Sequence, residues 1–143
     1  MSGDRVLLVD DEEEFTRALA ERMEARGLRV ETAADGEAAV ARAAARSFDA
    51  IVLDLSMPGL SGIETLRRLR ESSPEVQVIL LTGHATVQTG VEAMRLGALD
   101  FVEKPADLEQ LLERIGEASA RKAILVERRA AEEIKEILAK KPW

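Results

Sequence analysis

The chain has 143 residues, 46% of them hydrophobic, and a formal net charge of −7 at pH 7. That length fits one domain with a packed core, which excludes a disordered chain. The absence of cysteine excludes disulfides, thiolate metal sites and cysteine nucleophiles, and the acidic balance argues against direct binding to nucleic acid or an anionic membrane.

From the N-terminus, "RVLLV" (5–9) predicts a strand that runs straight into five acids, Asp10, Asp11, Glu12, Glu13 and Glu14. The segment "VLLV" is too short for the apolar region of a signal peptide, and no apolar run approaches the roughly 18 residues of a membrane span. The chain therefore reads as soluble and cytoplasmic. Phe15, Ala18, Leu19 and Met23 then recur at helical spacing and predict a first helix with one core-facing stripe.

A second strand is expected at "LRVETA" (28–33), followed by an Ala-rich helix over 36–46 that opens after Asp35, a good N-cap residue. "DAIVLDL" (49–55) predicts the third strand. The next helix, over about 62–72, stops before Pro74, because a residue preceding proline is pushed out of the helical region. "VQVILLT" (76–82) predicts a fourth strand. The helix after it, over about 86–96, carries Val87, Val91 and Met94 on one face and ends at Gly97. "ALDFVE" (98–103) predicts the fifth strand, and a helical stretch runs from about Ala106 to Lys140.

Strands that are continuously apolar and alternate with helices predict an open, doubly wound α/β architecture with a parallel sheet. Such sheets bind ligands beyond the carboxyl ends of their strands. The residues at those ends are Asp10, Asp11, Asp54, Thr82 and Lys104, so three carboxylates, a hydroxyl and an ammonium should converge there. Clustered carboxylates without thiolates suit a hard divalent cation such as Mg²⁺. With the lysine and the hydroxyl beside them, they describe a site for receiving a phosphoryl group on an aspartate. Helix capping is the competing account of Asp10 and Asp11, and Glu12, Glu13 and Glu14 read as solvated acids of the first helical turn.

The segments "VLLVDDE", "IVLDLSMPGLSG", "VILLTGHA" and "GALDFVEKP", in this order and at this spacing, resemble the receiver domain of two-component response regulators. The resemblance covers about residues 4–118 and implies the flavodoxin-like strand order 2-1-3-4-5. It implies that Asp54 accepts a phosphoryl group from a sensor histidine kinase or phosphotransfer protein. Asp11 would be a direct Mg²⁺ ligand, Asp10 would act mainly through water, and the Ser56 carbonyl would complete the protein ligands. Lys104 would pair with Asp54, Thr82 would swing onto the phosphoryl group, and Phe101 would be the aromatic switch. Gly83, His84 and Pro105 would form the site rim, with the Lys104–Pro105 bond at a commonly cis position. The resemblance implies no enzymatic activity beyond the chain's own phosphorylation and dephosphorylation. It places the output on the fourth helix, fifth strand and fifth helix.

Three other readings compete. An aspartate-nucleophile hydrolase of the haloacid dehalogenase type would want an acid where Ser56 stands. A flavodoxin-like FMN binder would want a hydroxyl- or Gly-rich loop and stacking aromatics. A degenerate receiver would act as a phosphorylation-independent binding module. Residues 119–143 form a helical extension in which Ala120, Ala123, Ile124, Ala130, Ala131, Ile134, Ile137 and Leu138 keep helical spacing, interrupted by Glu127. It reads as a coiled-coil homodimer contact, a linker to a further domain, or the end of a stand-alone receiver that folds back or docks on a partner.

Overall fold

The computed structural model describes residues 3–57, 59–83 and 87–140, with the side chains of Thr82 and Val87 outside that description. In chain order the elements are β1 (Arg5–Val9), α1 (Glu13–Ala25), β2 (Arg29–Ala33), α2 (Gly36–Ala45), β3 (Ala50–Leu53), α3 (Gly62–Ser72), β4 (Val78–Thr82), α4 (Val87–Arg95), β5 (Asp100–Glu103) and α5 (Leu108–Ala139). All four strand pairings are parallel, and the sheet order is β2-β1-β3-β4-β5.

Both faces of the sheet are covered, which explains why the central strands are apolar without alternation from Val6 to Val9, Ala50 to Leu53 and Val78 to Leu81. Val6, Leu8, Val52, Ile79, Leu81 and Val102 point to one face and pack against α1 and α5. Their neighbours Leu7, Val9, Ile51, Leu53, Val78 and Leu80 point to the other, against α2, α3 and α4. Each fully buried Leu or Ile contributes about 1.5–3 kcal/mol through removal of apolar surface from water.

The helix signals act locally as their chemistry requires. Asp35 accepts from the Ala38 amide at 2.8 Å, Ser61 from Glu64 at 3.1 Å and Asp107 from Glu109 at 3.0 Å. Gly97 takes φ +102° after α4, a conformation that L side chains rarely adopt.

One expected helix face is corrected, in α1, and the side of α4 that meets the core is resolved. In α1, Ala18 is exposed and the buried set is Thr16, Leu19, Ala20 and Met23, with Phe15 half-buried. Thr16 enters the core because its hydroxyl donates to the Glu12 carbonyl at 3.0 Å, which removes the penalty for burying it. In α4, Val91 and Met94 are each 45% exposed, and the core contact is made by the small Ala93. Val87, the third residue of that expected stripe, has its side chain outside the described residues.

α5 is a single 32-residue helix. Leu111, Leu112, Ile115 and Ala118 bury its first part against the sheet. Further on, Ser119 donates to Asp4, Lys122 donates to Ser47 and to the Phe48 carbonyl, and Arg129 pairs with Glu75. Lys122 thus grips the segment entering β3, and Arg129 the segment before β4. Ile124, Ile134, Ile137 and Leu138 lie on the outside, 49–61% exposed. No helix among the described residues is long and apolar enough to cross a membrane.

Candidate functional site

Parallel register brings the acids together. Val9 is paired with Leu53, so the next residues, Asp10 and Asp54, leave adjacent central strands side by side. The Asp54 amide donates to the Val9 carbonyl at 2.9 Å, which fixes the two strand ends against each other. Asp10 is 6% exposed and Asp54 is 4% exposed. Each carboxylate is held by a backbone amide two residues on: Asp10 Oδ1 accepts from Glu12 and Asp54 Oδ1 from Ser56, both at 3.0 Å.

At the end of β5, Thr82 is paired with Glu103, so Lys104 leaves the sheet beside the end of β4. Lys104 Nζ lies 2.7 Å from Asp10 Oδ2, 2.9 Å from Glu12 Oε1 and 3.6 Å from Asp54 Oδ2. Burial works against the charged ammonium, but hydrogen bonds to Asp10 and Glu12 outweigh it and carry its pKa above the ordinary lysine range. Burial likewise pushes the Asp10 carboxyl up, with Lys104 opposing and the Asp54 charge adding to the rise. The Lys104–Pro105 peptide bond is cis.

Asp10, Glu12 and Asp54 bring carboxylate oxygens within 4.8 Å of one another. Asp10 Oδ2 is buried and meets no donor beyond the Lys104 ammonium. An all-oxygen set of clustered carboxylates, with one buried oxygen whose sole partner is a lysine ammonium, fits a hard divalent cation, which takes carboxylates and water. Asp11 is exposed and stands outside that cluster. It lines, with Glu12, Phe15, Asp54, Ser56, Gly83, Lys104 and Pro105, an open depression of about 600 Å³ above the strand ends.

The sequence-predicted residues Asp10, Asp54 and Lys104 are therefore in contact, with Asp11, Ser56, Gly83 and Pro105 around them. The side chain of Thr82 and all of His84 lie outside the described residues. Phe101 is half-buried and packs on the sheet face that carries α2, α3 and α4. Sequence reasoning missed Glu12. Its place in the chain puts it in the solvated first turn with Glu13 and Glu14, yet its carboxylate reaches a lysine 92 residues away. Its immediate proximity to the acid pair was the only available signal.

A parallel β2-β1-β3-β4-β5 sheet with this carboxylate–lysine constellation defines a receiver. The family model for the response regulator receiver domain matches residues 6–116, and the chain belongs to that family. The uncharacterized transcriptional regulatory protein YkoG of Bacillus subtilis (strain 168) is 38% identical over 115 residues, 80% of this chain and 50% of that protein. The chain spans about half the length, or less, of the curated relatives it matches. Among solved structures, a CheY-like response regulator receiver domain protein from Methanospirillum hungatei JF-1 superposes with a TM-score of 0.81 at 28% identity, covering 85% of this chain and 98% of that one. An adenylate cyclase structure from Rhodopirellula baltica superposes with a TM-score of 0.81 at 26% identity, covering 97% of this chain and 99% of that one. The chain is thus a signalling module of two-component systems, with transcriptional regulators among its relatives.

Proposed function

We propose that residues 4–118 accept a phosphoryl group on Asp54 from the phosphohistidine of a sensor kinase or phosphotransfer protein, and pass the change on through α4, β5 and α5. The observation that carries this reading is Asp54 itself, a buried carboxylate 3.6 Å from a lysine ammonium and open to a depression at the strand ends. An Asp54 oxygen attacks phosphorus, the phosphorus–nitrogen bond breaks, and its electron pair stays on the donor imidazole. Mg²⁺, held by Asp10, Asp11, Asp54 and the Ser56 carbonyl, would neutralise charge on the carboxylates and on the phosphoryl oxygens. Lys104 shifts onto the phosphoryl oxygens and Thr82 donates to them. Phe101 follows by turning inward. Val91 and Met94, exposed on α4, supply apolar surface for the output.

The test is intact-mass spectrometry after incubation with acetyl phosphate, with and without Mg²⁺. A single phosphoryl adduct that requires Mg²⁺ is expected. Absence of any adduct, with acetyl phosphate and with a phosphorylated histidine donor, would leave a phosphorylation-independent binding module as the reading.

Residues 119–143 serve, in this proposal, as a contact between two copies of the chain. Support comes from Ile124, Ile134, Ile137 and Leu138, apolar and exposed along α5. Burying that face is what an otherwise solvated helix of this kind requires. Light scattering should find a dimer in the full chain and a monomer in a chain cut after residue 119. A dimer that survives the cut would place the contact elsewhere. The acidic chain, which has no apolar helix of membrane-spanning length among the described residues, is proposed to work in the cytoplasm without direct contact with nucleic acid or membrane.

A further inference from the structure

Glu12 occupies the N-cap position of α1 but does not cap it: its side chain makes no hydrogen bond to the helix amides. The carboxylate turns instead to Lys104, whose Nζ donates to Glu12 Oε1 at 2.9 Å. Phe15, three residues along and on the same face of the helix, sets its ring centroid 4.6 Å from that nitrogen. A cation over an aromatic face is attracted by the ring's negative centre. The third hold on Lys104 is Asp10, at 2.7 Å.

The ammonium is therefore secured from the α1 side by a carboxylate, a ring and a buried acid, and stands off from Asp54 at 3.6 Å. If Asp54 is the acceptor, that same ammonium must reach phosphoryl oxygens on it. Every contact that holds it near α1 opposes that transfer. Asp35, Ser61 and Asp107 accept first-turn amides of their helices, as short polar side chains do, whereas the longer Glu12 side chain is a poor cap and reaches Lys104 instead.

We propose that Glu12 and Phe15 are positioning residues that hold Lys104 on the α1 side of the site and so limit how readily it engages a phosphoryl group on Asp54. The proposal rests on Asp54 being the acceptor, but the tether itself can be read without any phosphoryl transfer. Glu12 is largely exposed, so its hold is of the modest size typical of surface ion pairs.

The first measurement is trace acetylation of Lys104 by acetic anhydride in the metal-free chain, mapped by mass spectrometry, for wild type, Glu12→Gln and Phe15→Leu. Labelling should rise by about two- to fivefold in each variant, in keeping with the loss of one surface ion pair or one cation–ring contact. Labelling equal to wild type in both variants would overturn the tether. The second measurement is the initial rate of phosphoryl uptake from acetyl phosphate at saturating Mg²⁺, with Mg²⁺ affinity determined separately by calorimetry.

Glu12→Gln should take up phosphoryl groups faster by a similar factor. Glu12→Asp, which keeps the charge beside the cation and shortens the reach, should follow Glu12→Gln. If Glu12→Asp matches wild type while Glu12→Gln differs, charge rather than tethering is the cause and the proposal fails. A wild type that takes up no phosphoryl group removes the acceptor reading. A wild type that does, with variants unchanged, removes the tether alone.

Discussion

Asp54→Asn should abolish the phosphoryl adduct while leaving the chain folded. The amide keeps the shape of the carboxylate and keeps an oxygen for the Ser56 amide, which donates to Asp54 Oδ1 at 3.0 Å. What it loses is the anionic nucleophile, because a neutral amide has no carboxylate charge to attack phosphorus and its O-phosphorylation would leave an unstable cationic imidate in place of an acyl phosphate. The substitution also takes one negative charge away from Asp10, whose carboxyl is raised by burial and, to a smaller degree, by Asp54. Relief of that repulsion predicts a melting temperature equal to or above that of wild type. Mass spectrometry and a thermal melt on one sample check both halves. An adduct formed in undiminished yield would show that the group is accepted elsewhere, and a collapsed melt would show that Asp54 is structural.

Gly62→Ala should damage fold and site together. A Cβ at Gly62, the first residue of α3, would stand 2.4 Å from Leu55 Cα and 2.8 Å from the Leu55 carbonyl oxygen. Both obstacles are backbone, so no side chain can swing away to make room. Leu55 follows Asp54 directly, and the segment that must shift is the one whose Ser56 amide holds the Asp54 carboxylate. A loss of about 1–3 kcal/mol is expected in denaturant unfolding, the range of overpacked interiors. Phosphoryl uptake should slow with it. Gly90→Ala is the control: nothing lies within 4 Å of a Cβ there, and the residue is inside α4. Replacing an interior helical glycine by alanine should stabilise the chain by about 0.5–1 kcal/mol. Equal unfolding midpoints for Gly62→Ala and wild type would refute the crowding.

The strands were the most legible part of the chain: a sheet covered on both faces demands apolar residues along its central strands, and few other architectures produce that pattern in runs so short. Their alternation with helices also placed Asp10 and Asp54 at neighbouring strand ends, where the register sets them side by side. The expected strand bounds ran up to two residues long at either end, as at 49–55 against Ala50–Leu53.

Helix faces were read less well. Periodicity places Val91 and Met94 together but does not say whether that face meets the sheet, and Ala93, with far less apolar surface, is the residue that does. Thr16 was overlooked because a hydroxyl satisfied by its own helix is invisible to an apolar count. Glu12 is the solvated acid at the start of α1 that was expected, 63% exposed, but its contact with Lys104 was not foreseen, because a pairing across 92 residues leaves no local trace. The contacts of Lys122 and Arg129 with the segments before β3 and β4 belong to the same class.

The continuity of α5 has a further consequence. Its buried start and its solvent-exposed end belong to one rod of 32 residues, about 48 Å long at 1.5 Å per residue. Nothing in it decouples rotation at one end from rotation at the other. The compass direction in which Ile134 and Leu138 face is therefore set by a residue count. One residue added or removed between Ala118 and Ile134 swings that face by about 100°, whereas a change of seven returns it to within about 20°. The spacing of this segment, more than its composition, is what evolution must preserve if the rod is to point the same way.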